Sequence, residues 1–139
     1  MFKINISDKS GKTYKLETEA NALNDKELHS IVQGSDVSQD LEGYELEITG
    51  ASDKSGFTAM KNVDGVGIKR VLLGYGKGMH QRPKGEKKKN TQSGGLRLRK
   101  TVRGKVISPA ISQINFKVTK EGTKKLSEIF AKPEEIKSE

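Results

Sequence analysis

Apolar and polar side chains alternate with a period of two at several places along the chain. Phe2, Ile4 and Ile6 alternate with Lys3 and Asn5, and Tyr14 and Leu16 alternate with Lys15 and Glu17. A period of two places one set of side chains on one face of a strand, so each run predicts a half-buried β-strand. Asp8 to Gly11 holds turn-forming residues, which predicts that these first two strands pair as a hairpin. Tyr44, Leu46 and Ile48 alternate with Glu45 and Glu47, and Ile114, Phe116 and Val118 alternate with Asn115, Lys117 and Thr119. Ile68 to Leu73 reads as a shorter, more continuous apolar strand. Helical spacing is weaker. Asn24 precedes Asp25 and Glu27, with Leu28, Ile31 and Val32 on one helical face and Gly34 as a stop, predicting a helix of about three turns. Leu126, Ile129 and Phe130 predict a second short helix before Pro133. The expected fold is mainly β: a small antiparallel sheet or partly open barrel, with one or two short helices and a long basic loop.

Composition narrows this picture. Leu, Ile, Val and Phe make up 32 of the 139 residues, just above the level of about 20% below which highly charged chains stay disordered. One β-rich domain over residues 1–131 is expected, with a polar tail at 132–139. Residues 74–95 carry Gly74, Gly76, Gly78, Gly85, Gly94 and Gly95 and little apolar surface, so they are expected to form a flexible basic loop that binding would order. No apolar run exceeds three residues, which excludes a membrane-spanning helix. The first residues lack the pattern of a secretory signal. With no cysteine there is no disulfide framework, thiol chemistry or zinc–thiolate site. A soluble, cytoplasmic protein is expected.

Charge changes the picture most. Residues 1–60 carry 6 Lys/Arg and 11 Asp/Glu, whereas residues 61–105 carry 14 and 2. The middle third is thus a block of net charge +12 inside a chain of net charge +8. Such a block attracts a polyanion and holds it by releasing counterions. An anionic membrane would want an amphipathic helix, and the glycines and Pro83 prevent one. If residues 96–106 are extended, Arg97, Arg99, Arg103 and Lys105 share one face and Leu96, Leu98, Val102 and Val106 the other, with Lys100 and Gly104 as exceptions. Four cations on one strand face repel one another unless anions sit beside them. Either Glu45 and Glu47 on a neighbouring strand neutralise them, or phosphates do, and arginine's planar fork suits phosphate oxygens.

Other chemistries find no support. Gly74-x-Gly76-x-Gly78 lacks the Lys-Ser/Thr pair of a phosphate loop and the spacing of a dinucleotide fingerprint. His29 and His80 are far apart in the chain, so a metal site is not expected. His29 reads as a surface residue, while His80 stands beside Gln81 and Arg82 in the basic block. Asp36, Asp40, Glu42, Asp53 and Asp64 are scattered, with no base to pair with, and no serine has a neighbouring histidine. Neither catalysis, a cofactor nor a small-molecule substrate is expected. The basic block holds one aromatic, Tyr75, which argues against stacking along a single strand as the main mode. Lysine and arginine arms, including Lys87, Lys88 and Lys89, suit the phosphates and shape of folded, mainly A-form RNA.

The order of motifs also resembles a known family. Leu41-Glu42-Gly43-Tyr44-Glu45-Leu46-Glu47-Ile48-Thr49-Gly50, then Ser52-Asp53-Lys54-Ser55-Gly56-Phe57 and Met60-Lys61, resemble the signature of the small-subunit ribosomal protein six family of archaea and eukaryotes. The similarity continues through Lys69-Arg70-Val71-Leu72-Leu73, Arg82-Pro83, Gly85-Glu86-Lys87 and Arg99-Lys100-Thr101-Val102-Arg103-Gly104 to the strand at Ile114 to Val118. It covers roughly residues 1–122 and suggests the short, archaeal type. Thr58-Ala59 stand before Met60 where the family usually has a proline. The resemblance implies a structural constituent of the small ribosomal subunit that binds its rRNA and neighbouring ribosomal proteins. It maps RNA contact onto Lys54, the strand with Lys69 and Arg70, and the span from Lys77 to Lys105, which includes His80, Gln81, Arg82, Lys84, Lys87, Lys88, Lys89, Arg97, Arg99, Lys100 and Arg103. A non-ribosomal RNA-binding protein, or a module docking partners on its acidic N-terminal half, is the alternative.

Overall fold

The computed structural model describes residues 1–81 and 95–130. Seven strands form within them: β1 (Phe2–Ser7), β2 (Thr13–Thr18), β3 (Ile31–Gln33), β4 (Glu45–Asp53), β5 (Ile68–Leu73), β6 (Leu98–Arg103) and β7 (Ile111–Lys120), followed by a one-turn helix α1 (Leu126–Ile129). Five of them make a sheet in the order β2-β1-β7-β4-β3, and β5 and β6 pair separately as a two-stranded ribbon. The mainly-β expectation stands, as an open sheet rather than a closed barrel. Its direction is mixed: β1 and β7 run parallel, while every other pair is antiparallel. Side-chain alternation reports which face a residue takes and is blind to strand direction.

The predicted hairpin forms in register from Phe2 opposite Thr18 to Ser7 opposite Thr13. Asp8 builds its turn by accepting the Lys9 N–H at 2.7 Å and the Ser10 hydroxyl at 2.6 Å. That hydroxyl is the main reason the Asp8 carboxyl is held below its ordinary value. One sheet face carries the core. Phe2, Ile4 and Ile6 of β1, Leu46 and Ile48 of β4, and Ile114, Phe116 and Val118 of β7 pack there beneath Leu23, Leu28, Val37, Leu41, Ile107 and Leu126. The other face is polar, with Asn5 and Gln113 both donating to Asn115 Oδ1. This one-sided burial is the usual state of a mostly antiparallel sheet. The short helix predicted near Leu126 forms, and it lays Phe130 against Tyr14 with ring centroids 5.2 Å apart.

The helix predicted from Asn24 to Gly34 does not form. Asp25 and His29 both adopt left-handed backbone (φ 65° and 64°), which interrupts any helical run. Asp25 N–H donates to Ile107 O, Ile107 N–H to Lys26 O and Leu28 N–H to Lys105 O, tying this segment to the chain that leaves β6. Residues 31–33 then pair with β4, with Val32 opposite Leu46. Val32 is buried and Ile31 is exposed, which is strand alternation. The open edge of β4 offered hydrogen bonds along a whole strand, and that outweighed a weak local helix signal.

One bulge in β4, at Thr49, sets up the site described below. The strand's buried positions are Leu46, Ile48 and Gly50 and then, past the register shift between Ile48 and Gly50, Ala51 and Asp53. An extra residue reverses which face later side chains take. Asp53 is carried by that reversal to the buried side.

Candidate nucleic-acid interface

Asp53 is the buried charged residue among those described, and it organises two pieces of backbone. Its Oδ1 accepts the Phe57 N–H at 2.9 Å, and its Oδ2 accepts Arg103 Nε at 2.8 Å. One carboxylate therefore shapes the turn at residues 53–57 and fastens it to the end of β6. Burial alone would push this carboxyl up. The hydrogen bond from Arg103, the Phe57 N–H and the guanidinium charge together outweigh burial and hold it below the ordinary range. Arg103 also donates Nη1 to Val66 O at 3.2 Å. Its main chain completes the joint, with Arg103 N–H donating to Thr58 O and Met60 N–H donating to Arg103 O, each at 3.0 Å. Gly104 follows at a place where a Cβ would overlap the Gly65 carbonyl, so only glycine lets these two chain segments pass this closely.

Lys105 is tied down as well, with Nζ 3.3 Å from both Glu27 Oε2 and Asp64 Oδ1. The hydrogen bonds to Glu27 and then Asp64 raise its pKa and keep it charged. The anions that neutralise the strand's cations are thus Asp53, Glu27 and Asp64. Glu45 and Glu47 instead face Lys120 (3.5 Å) and His29 (3.2 Å). Arg103 and Lys105 are taken up by the fold, which leaves Arg97 and Arg99 of the original four facing solvent.

The β5–β6 register sorts the remaining cations. Directly opposed residues share a face, so Arg70 and Thr101, Leu72 and Arg99, and Ile68 and Arg103 lie on one side of the ribbon. Lys69 and Val102, Val71 and Lys100, and Leu73 and Leu98 lie on the other. Val102 is buried and Val71, Leu73 and Leu98 are half-buried, so this second side packs on the molecule. The first side presents Arg70 and Arg99 beside exposed Ile68 and Leu72. Lys54 is exposed at the Asp53 turn, and Lys69 and Arg97 are exposed on the ribbon and just before it. None of Lys54, Lys69, Arg70, Arg97, Arg99 and Lys100 has a carboxylate within salt-bridge distance among the described residues.

The chain leaving β5 turns back on itself, with Gly76 and Met79 exchanging main-chain hydrogen bonds and Met79 fully buried beneath them. That anchor holds His80 in the open, edge-on to Tyr75 with ring centroids 5.9 Å apart, and leaves Gln81 exposed. Lys77 reaches back to the sheet, its Nζ 3.4 Å from Thr49 O. Of the stretch expected to be a flexible loop, residues 82–94 lie outside the described residues. Arg82, Lys84, Lys87, Lys88 and Lys89 are therefore not placed, nor is the tail at 132–139. Sequence reasoning misses Asp53 as an organising residue because its partner is 50 positions away. No helix among the described residues is long and apolar enough to cross a membrane, and no metal-binding cluster of His, Asp or Glu occurs among them.

This display of cations around a ribbon coincides with a clear family match. The family model described as Ribosomal protein S6e matches residues 2–131. A small ribosomal subunit protein eS6 from Methanococcus maripaludis is 43% identical over 88% of this chain and 90% of the relative. One from Methanosphaera stadtmanae is 40% identical over 100% and 99%, and one from Archaeoglobus fulgidus is 39% identical over 96% and 98%. The chain belongs to the ribosomal protein S6e family, a structural and non-enzymatic family of the small ribosomal subunit.

Proposed function

We propose that this chain is a small-subunit scaffold that grips rRNA phosphates with the β5–β6 ribbon and the Asp53 turn. The observation that carries the reading is the division of labour among the cations. Arg103 and Lys105 have carboxylate partners, whereas Lys54, Lys69, Arg70, Arg97, Arg99 and Lys100 have none among the described residues and stand around one ribbon. Lys77, His80 and Gln81 extend this surface. Arg82, Lys84, Lys87, Lys88 and Lys89 belong to the same proposal by charge and sequence position. Arg103 and Lys105 serve it by positioning the ribbon. Neighbouring ribosomal proteins are proposed partners, and the ribosome in the cytoplasm is the proposed location.

Six phosphates neutralised would make binding steeply salt-dependent, losing roughly 10³-fold in affinity between about 50 and 200 mM salt. Filter binding of small-subunit rRNA fragments at rising potassium concentration tests this. A linear fall of log affinity with log salt is expected, and a flat response would refute the proposal. The alternative, protein docking on the acidic half, predicts partners that stay bound after nuclease treatment, whereas this reading predicts their release.

A further inference from the structure

β6 is paired with β5 along one edge, and among the described residues its other edge makes main-chain hydrogen bonds only at its end. There Arg103 N–H donates to Thr58 O and Arg103 O accepts from Met60 N–H. Main-chain polar groups alternate direction with a period of two along a strand, so those of Thr101 and Arg99 point to this same outer edge. A neighbour continuing alongside would satisfy them. Instead Ser52 pairs back with Thr58, and residues 53–57 loop away as the turn that Asp53 holds. The space left is a groove of about 420 Å³, lined by that turn, Gly78 and residues 99–102.

Three features define what fits there. The volume lies within the range of about 300–1,000 Å³ seen for small-ligand sites. Two strand residues offer main-chain donors and acceptors, a length too short for an added strand of about 5–6 residues. Half-buried Phe57 lines one wall, while Arg99 and Lys100 bring positive charge to the other, with no carboxylate among the lining residues. Aromatic surface, hydrogen-bonding edge and cation are the three contacts by which a splayed-out RNA base and its phosphate are held.

We infer that this groove receives a single unstacked nucleotide of RNA, its base against Phe57, its hydrogen-bonding edge on the main chain of Thr101 and Arg99, and its phosphate on the exposed Arg99 side chain. The inference rests on the RNA-binding reading above and adds a preference that phosphate contacts alone would not create.

Two RNA hairpins differing only in one bulged nucleotide test it, with each of the four bases tried in the bulge and the full chain as binder. The bulged hairpin is expected to bind about tenfold more tightly, in the range typical of single stacked bases. Thr101→Pro removes the outward N–H at a position that makes no ladder bond to β5, where proline is tolerated. Phe57→Leu removes the ring and keeps the bulk. Each is expected to bring the ratio of the two affinities, bulged to paired, down to about one. In the wild-type chain the Thr101 amide resonance should shift on adding the bulged hairpin and not on adding the paired one. Equal affinity for both hairpins, or a preference that survives both variants, would overturn the inference and leave the RNA-binding reading intact. Failure to bind either hairpin would refute both. Occupation of the groove by an extended peptide, with no response to the bulge, would assign it to strand addition instead.

Discussion

Replacing Asp53 with asparagine tests whether one carboxylate holds the ribbon to the sheet. The side chains of Arg103 and Asp53 are 15% and 4% exposed and meet at 2.8 Å. Removing one partner of such a pair costs about 3–5 kcal/mol, because the other charge is left buried without compensation. Arg103 would keep its bond to Val66 O, and the amide oxygen of the new side chain could still accept from Phe57 N–H, so the loss should lie near about 3 kcal/mol. For a chain of this length that corresponds to a fall in Tm of roughly 10 °C. Thermal melts followed by circular dichroism would measure it, within a double-mutant cycle that adds Arg103→Met and the pair. The double variant should be less destabilised than the sum of the singles by at least about 1 kcal/mol, since it leaves no lone buried charge. Additive losses, or a loss from Asp53→Asn below about 1 kcal/mol, would show that the pair does not carry the joint.

The remaining predictions follow from the same region. Gly104→Ala should destabilise by about 1–3 kcal/mol or more, because its Cβ would overlap the Gly65 carbonyl, while Gly67→Ala, with open space around it, should be nearly neutral by chemical denaturation. The depressed pKa of Asp53 means that the unfolded state takes up its proton first as pH falls. Its contribution is complete above the unfolded value of about 3.9 and is lost as pH drops through the lower folded value. Wild-type stability should therefore fall over that acid window more steeply than that of Asp53→Asn, and parallel pH profiles would contradict the assignment.

Much of the fold was legible because its strands are buried on one face. Phe2, Ile4 and Ile6, and Ile114, Phe116 and Val118, display strict alternation and are core residues. Strand direction was not legible, since alternation is the same whichever way β1 meets β7. The segment from Asn24 to Gly34 misled because Leu28 and Val32 satisfy helical spacing and are also both buried in an irregular segment followed by a strand. The basic block was visible as charge, but its division was not. Whether Arg103 binds an anion within the chain or outside it depends on a bulge in β4 that turns Asp53 inward, and a bulge leaves no composition signal. Gly104 stood out as an exception on the strand. The reason for it, close passage of the Gly65 backbone, required the tertiary structure.

Charge reversal on the ribbon tests the central claim most directly. Arg70, Arg97 and Arg99 changed together to Glu should abolish binding of small-subunit rRNA fragments in the filter assay. The matched change of Lys3, Lys9 and Lys12, exposed on and beside β1, should leave affinity and salt dependence near wild type. If both triple variants lose affinity equally, net charge alone governs binding and the ribbon has no special part in it.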